Sequence, residues 1–323
     1  MLVNMQAFED ARRVGQVTEY EVYPRQSSDI DKYQVKAENV PSVISEDVRM
    51  LHGGALIDFW EEEKGIVWSK LPKLLAKTPQ RLFALVGGIP SSASNGDNIF
   101  SLFDEFLGDT LDTEKWTAYK RNSDAAIVEV VDGTLHLAGE AGVTSSGNVK
   151  SILTFTNAVA IEIKRKCDSE NYRHFSLGSG AVCEREVTKY YETTLKDSYC
   201  WYIGGAGADQ AQLQEVDSDC DKINLDVATI AAATDYERVL FTYDSNGVLK
   251  WLVNTIEEIS TTDTTYLADS KNILITQGEY KDGRGGNQYV DWVFVRKYAS
   301  PEPLILKKAI LGKAAMIRAV IAS

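Results

Sequence analysis

The chain has 323 residues, room for about two domains, and a hydrophobic share of 44%, enough for an ordinary core. The formal net charge is −13, and no basic face appears before the C-terminal tail, which argues against a nucleic-acid partner. No apolar run reaches the ~18 residues of a membrane span. Met1 to Asp10 has neither the basic nor the apolar region of a secretory signal.

Residues 1–26 read as an arm, with the alternating Thr18-Glu-Tyr-Glu-Val-Tyr23 as an edge strand. Residues 27–99 read as a small β domain. Tyr33–Ala37, Glu46–Leu51, Ala55–Trp60 and Gly65–Leu71 are its strands, the last closed by Pro72; Arg81–Gly88 is a buried apolar strand. The turn-rich Ile89–Asn98 is a linker. Strand patterns then recur over residues 100–300: Ala126–Val131, Thr134–Ala138, Ala158–Lys164, Arg238–Tyr243, Val248–Val253 and Gln288–Arg296. Asp244-Ser-Asn-Gly247 separates two of them and marks a hairpin. Long helical patterns are absent, so this region is a large sandwich or barrel. Residues 301–323 form a basic, apolar tail with Lys307, Lys308, Lys313 and Arg318, and no acid after Glu302. Its apolar residues fold back on the body or dock into a partner.

The four cysteines, Cys167, Cys183, Cys200 and Cys220, are too widely spaced for a zinc knuckle. Two disulfides in any of three connectivities, or buried thiols, remain open. Asp217-Ser-Asp-Cys-Asp221 sets three carboxylates at alternate positions, an oxygen set suited to calcium. Lys222 stands where an EF-hand needs glycine, so the loop is a looser calcium site or a solvated acidic turn. The glycine-rich Gly204–Asp209 and Asp282–Asn287 lack the context of a phosphate loop and read as loops at one end of the sandwich. Tyr199, Trp201, Tyr202 and Asp209, with Arg284 and Asn287, are the ligand-binding residues expected there, while Trp251 and Trp292 fall in strand patterns as core. His52, His136 and His174 lie far apart, and no Gly-x-Ser-x-Gly elbow accompanies them.

Phe103-Asp-Glu-Phe-Leu-Gly-Asp-Thr-Leu-Asp-Thr-Glu-Lys-Trp116 resembles the opening strand of concanavalin-A-like lectin/glucanase domains. Val131–Leu137 looks like the family's next hairpin strand, Tyr289–Tyr298 like its closing strand, and Ser300-Pro-Glu-Pro303 like its exit. The preceding stretch, on Val67–Pro72, Leu82–Gly88 and Ser94–Phe100, resembles a domain of unknown function that accompanies such sandwiches in archaeal and bacterial surface proteins and viruses. It departs at Val86-Gly-Gly88, where the family has a tyrosine-glycine-asparagine turn. The resemblance implies an all-β chain: a concanavalin-A-like jelly-roll β-sandwich at 100–300, a smaller N-terminal β domain and a C-terminal tail.

Retaining hydrolases on this fold carry two glutamates around an aspartate on one strand face. No such string occurs; Glu184-Arg-Glu186 has the right period but no third acid in register. The chain therefore reads as a non-catalytic recognition protein that binds a surface glycan or polymer. A tail, fibre or decoration component of a virion is its expected setting, or the extracellular surface. It would contact other copies or other structural subunits through residues 1–26 and 301–323. The alternatives are a purely architectural virion or surface-layer subunit, and a diverged polysaccharide hydrolase using Glu184 or Glu186.

Overall fold

The structure, a computed structural model, describes residues 16–40, 48–53, 55–86, 94–156, 158–168, 173–179, 181–187, 190–203, 210–229, 235–279 and 286–311. It falls into two compact units: Met1–Ser101 with Ala299–Ser323, and Leu102–Tyr298.

The first unit contains β1 (Gln16–Tyr23), β2 (Ile30–Glu38), β3 (Val48–His52), β4 (Ala55–Ile57), β5 (Phe59–Glu63), β6 (Ile66–Leu74) and β7 (Gln80–Val86). A five-stranded sheet runs in the order Leu304–Leu311, β1, β7, β3, β4, beside a three-stranded sheet β2–β6–β5. Of the segment 1–26, expected as an arm, residues 1–15 lie outside the described residues, and β1 is an inner strand, paired on one side with β7 and on the other with Leu304–Leu311. The tail likewise supplies that edge strand, and residues 312–323 lie outside the described residues. The physical reason is burial: Val17, Tyr20 and Val22 on β1 are closed off from water, and Ile305 packs on the same core as Leu82 and Ala84 of β7.

Two further expectations shift. Ala55–Trp60 is two strands in different sheets, divided at Asp58. β6 runs through Pro72, which is tolerated because its partner β5 reaches only to Ser69 of β6 and leaves that edge without a ladder to break. Residues 94–100 of the supposed linker and sandwich start belong to this unit. Ser94 Oγ accepts from Glu61 N at 2.8 Å, Asn95 caps a helical turn over Gly96–Ile99, and the Phe100 ring meets Trp60 and Trp68 edge-on at 5.5 and 5.6 Å.

The second unit is a two-sheet sandwich. Its strands are β8 (Leu102–Asp104), β9 (Trp116–Arg121), β10 (Ile127–Val131), β11 (Thr134–Ala138), β12 (Ser145–Ser151), β13 (Val159–Cys167), β14 (Arg173–Gly178), β15 (Val182–Val187) and β16 (Tyr190–Leu195). They continue with β17 (Ser198–Ile203), β18 (Gln210–Val216), β19 (Lys222–Thr229), β20 (Glu237–Tyr243), β21 (Val248–Val253), β22 (Ile256–Thr262), β23 (Asn272–Glu279) and β24 (Asn287–Lys297); Leu304–Leu311 is β25. One sheet runs β10-β11-β24-β13-β20-β21-β22, with β8 also on β24; the other runs β19-β18-β17-β14-β23-β12-β9. Alternation puts Ile161, Ile163, Phe241, Trp251, Val293 and Val295 of the first against Phe175, Trp201, Leu213 and Ile275 of the second. Phe175 and Phe241 stack across the interface at 4.3 Å.

The opening string Phe103–Trp116 has a mechanical basis. The Trp116 indole N–H donates to Asp104 Oδ2 at 2.8 Å and Phe106 N–H to Asp104 Oδ1 at 2.7 Å. Burial lifts the Asp104 carboxyl above the usual carboxylate value, while those two donors act in the other direction. At the Asp244–Gly247 turn, Asp244 Oδ1 accepts from Asn246 N and Val248 N at 2.8 and 2.9 Å, with Gly247 at φ 83°, so the expected hairpin is there.

Candidate functional site

The outward face of the seven-stranded sheet follows from its register. One transverse row runs Tyr119, Asn148, Thr276, His174, Tyr202, Gln212. The next runs Thr117, Lys150, Leu274, Ser176, Cys200, Gln214, Asn224. Because the inward positions are taken by the core, these rows are where the sheet can act. At no outward position of the seven strands does the sequence place an aspartate or glutamate. Amides and hydroxyls dominate. The one lysine in these two rows, Lys150, has its ammonium pKa lowered by burial.

An amide ladder runs along β18. Gln212 Nε2 donates to Gln210 Oε1 at 3.4 Å, and Gln214 Nε2 donates to Gln212 Oε1 and to Asn224 Oδ1, both at 2.9 Å. Asn148 Nδ2 donates to Ser146 Oγ at 3.0 Å and to Tyr119 O at 3.2 Å. These bonds leave Gln214 Oε1, Asn148 Oδ1 and Ser176 Oγ buried with no partner among the described residues. Buried acceptors of this kind want a donor, and a hydroxyl-bearing ligand or ordered water supplies one. The face is partly roofed. β15 and β16 form a separate two-stranded ribbon, and β16 packs on β12, β14, β17 and β23. The Cys183–Cys220 disulfide, spanning 37 residues, ties the ribbon to the β18–β19 turn. Its two cysteines pack with outward-facing Cys200 and Val216. Of the three connectivities left open, none with two bridges forms; Cys167 and Cys200 are buried outside any disulfide.

The expected site residues scatter. Tyr199 and Trp201 are corrections: they face inward at 0% and 2% exposure, within the core. The Tyr199 hydroxyl donates to Asp263 Oδ1 at 2.6 Å and lies 3.4 Å from the Tyr243 hydroxyl. Burial raises both phenols, Tyr243 to about 12. In the register Tyr202 pairs with His174 on one side and Gln212 on the other. Asp209 and Arg284 lie outside the described residues. Asn287 is on the other sheet, where its Oδ1 sits 2.7 Å from His136 Nε2 and its backbone N–H donates to Asp168 Oδ1 at 2.6 Å. Asp217, Asp219 and Asp221, expected as a loose calcium set, lie at the β18–β19 turn. Asp217 Oδ1 accepts from Asp219 N and Asp221 N at 2.9 and 2.8 Å, so it shapes the turn. Among the described residues no acid, cysteine or histidine group is arranged to hold a metal. Glu184 and Glu186 sit on the ribbon strand β15, paired with Thr193 and Tyr191, and not on a strand of either sheet. The residues that sequence reasoning passed over are Gln210, Gln212 and Gln214; their polar-apolar alternation with Ala211 and Leu213 is a readable signal.

The larger unit has the fold of a concanavalin-A-like jelly-roll sandwich, and the regular structure of the described residues is nearly all β. Residues 45–119 match a domain of unknown function, DUF2341, whose span crosses the division between the two units. Similar solved structures include an endo-β-1,3-glucanase from Pyrococcus furiosus, 14% identical with a TM-score of 0.47, covering 62% of this chain and 95% of that one. β-Agarase A in complex with oligoagarose is 15% identical with a TM-score of 0.46, covering 63% and 91%. A Bacteroides ovatus mixed-linkage glucan GH16 protein in complex with its product is 19% identical with a TM-score of 0.46, covering 60% and 99%. At such identities the likeness is one of fold. No curated protein matches the chain.

Proposed function

We propose that the chain is a non-catalytic recognition protein that holds a neutral, hydroxyl-rich glycan on the outward amide face of its seven-stranded sheet. The observation that carries this is the composition of that face: unfilled amide and hydroxyl acceptors, and no carboxylate at any outward position. Two-carboxylate hydrolysis needs acids ~5–5.5 Å apart for retention or ~6.5–9.5 Å for inversion, and the outward strand positions of the seven-stranded sheet carry no acid. Amide oxygens such as Gln214 Oε1 accept from sugar hydroxyls without charge. The test is titration of the full chain with laminarin, agarose and mixed-linkage glucan, alongside a reducing-end assay. Binding without release of reducing ends, weakened about tenfold by Gln214→Ala, is the expected result. Reducing ends that appear with the wild type and vanish in Glu184→Gln or Glu186→Gln would establish the diverged hydrolase instead.

The setting we assign is outside the cytosol, as a virion tail, fibre or decoration component or a cell-surface protein. The Cys183–Cys220 disulfide supports an oxidising environment, and mass spectrometry of purified particles against envelope fractions separates the two locations. One observation favours a purely architectural subunit as the second reading: β25 ends its sheet, with Leu304 and Leu306 exposed at 48% and 39%. An open apolar edge invites another strand. Leu306→Lys leaves the solution mass unchanged by light scattering if that edge makes no subunit contact.

A further inference from the structure

We propose a second binding site, on the outward face of the eight-stranded sheet, that takes an anionic group, a carboxylate or a sulfate, carried on a surface polymer. Its centre is Lys166, held between Tyr236 and Tyr289.

The register builds it. Glu129 pairs with His136, His136 with Tyr289, and Tyr289 with Lys166. Tyr236 precedes Glu237, which pairs with Arg165, so Tyr236 lies beside Lys166. One row thus reads acid, imidazole, phenol, ammonium, phenol across the sheet. The members are fixed by contact. His136 stacks on Tyr289 at 4.7 Å with planes 12° apart, and its ring nitrogens sit 3.0 Å from Glu129 Oε1 and 2.7 Å from Asn287 Oδ1. Lys166 Nζ is 5.2 Å from the Tyr289 centroid and 5.0 Å from that of Tyr236.

What marks this as a site is the way Lys166 is held. Neighbouring Lys164 is spoken for: its ammonium is 2.7 Å from Asp291 Oδ2, the residue that the bulge in β24 inserts opposite it. Lys166 has no carboxylate partner among the described residues, only the two ring faces. Those faces hold the cation without filling its N–H donors, so the donors are already oriented for oxygen atoms of an incoming anion. A lysine normally loses considerable side-chain freedom on binding; here the rings have removed much of it beforehand. Tyr236, 36% exposed, leaves apolar surface at the rim for the body of a sugar. Screening confines the pull of the Lys166 ammonium to contact range. The site lies on a different sheet from the amide face, and neither requires the other.

Affinity electrophoresis of the full chain in gels holding dextran, carboxymethyl-dextran or dextran sulfate keeps the backbone sugar constant and changes only the group. Retardation by a charged dextran and not by dextran is expected, and the polymer that retards more names the group. Lys166→Gln should weaken this about tenfold and Lys166→Arg should retain it, whereas the charge-matched Lys120→Gln should change it less than about threefold. Circular dichroism confirms that each variant folds. The proposal is overturned if dextran retards equally, if no charged dextran retards, or if Lys166→Gln binds as the wild type does. Loss of neutral-glycan binding in Gln214→Ala, with charged-dextran binding intact, would leave this site standing alone.

Discussion

Lys271→Met should stabilise the fold at neutral pH. Lys271 is 1% exposed and joins Phe155 through an isolated bridge, with N···O distances of 2.7 and 2.8 Å. Its ammonium donates to Asp269 O at 2.7 Å and lies 5.2 Å from the Tyr243 ring centroid. Burial nevertheless lowers its pKa from 10.5 to about 8, with the Asp269 charge opposing the shift. At ~1.4 kcal/mol per unit this corresponds to roughly 3 kcal/mol of unfavourable charging at pH 7. Methionine keeps the apolar stem and loses one hydrogen bond, which returns ~1 kcal/mol, so the net gain is ~1–2 kcal/mol. The pH dependence has a definite sign. Between pH 8 and 10.5 the unfolded chain holds a proton that the folded chain has released. Wild-type stability therefore receives a term from Lys271 that rises with pH through that window, by up to ~1.4 kcal/mol per unit. Urea midpoints of wild type and variant from pH 7 to pH 10.5 isolate this term, because other titrations cancel in the difference. The variant's lead should be largest at pH 7, shrink as pH rises, and reverse by pH 10.5, where relief of the ~3 kcal/mol charging cost leaves the wild type ~1 kcal/mol ahead through the hydrogen bond it keeps. A variant less stable at pH 7, or two curves that run parallel, would refute the reasoning.

Other outcomes follow from local geometry. Gly147→Ala would place a Cβ 1.9 Å from Ile127 O and 2.9 Å from Ala138 O, both backbone, where β12 meets the β10–β11 hairpin. It should cost ~3 kcal/mol or more, read as a fall in the thermal midpoint, and an unchanged midpoint would mean the hairpin does not sit there. Thr255, a β-branched residue at φ 74° in the β21–β22 turn, should be improved by glycine. Relief of ~1–2 kcal/mol against ~0.5–1 of added chain entropy leaves a gain of about 0.5–1, measurable by urea unfolding. Asp217→Ala removes the acceptor for two backbone N–H groups and should lower stability by ~1–2 kcal/mol. Millimolar calcium should leave the wild-type midpoint where it is.

Much of the fold could be read locally and little of its pairing. Thr18–Tyr23 declared itself a strand by alternation, but nothing near it says that it lies between β7 and Leu304–Leu311; that depends on burial shared across the length of the chain. Tyr199 and Trp201 show the same limit at a candidate site. Period two puts them on one face, yet cannot say which face is inside. That was settled by Tyr243, Asp263 and Tyr266, which lie 44, 64 and 67 residues further on. The Cys183–Cys220 bridge likewise depends on the ribbon crossing toward the β18–β19 turn, which spacing alone does not encode.

The outward positions invert this difficulty. Inward residues are chosen by packing and look alike in any sandwich, so they say little about action. Outward residues of a sheet face are released from that demand, and their chemistry is evidence once the register is known. Acids make up 47 of 323 residues, roughly one in seven, and would appear on such a face by composition alone. No acid stands at an outward strand position of the seven-stranded face, and with the glutamine alternation at 210–214 this supports the hydrogen-bonding role proposed for it. On the opposite sheet the same reasoning finds one cation between two rings, where a charged group can be held. The two faces therefore differ in kind, and a polymer with both hydroxyls and acidic groups offers each of them something to bind.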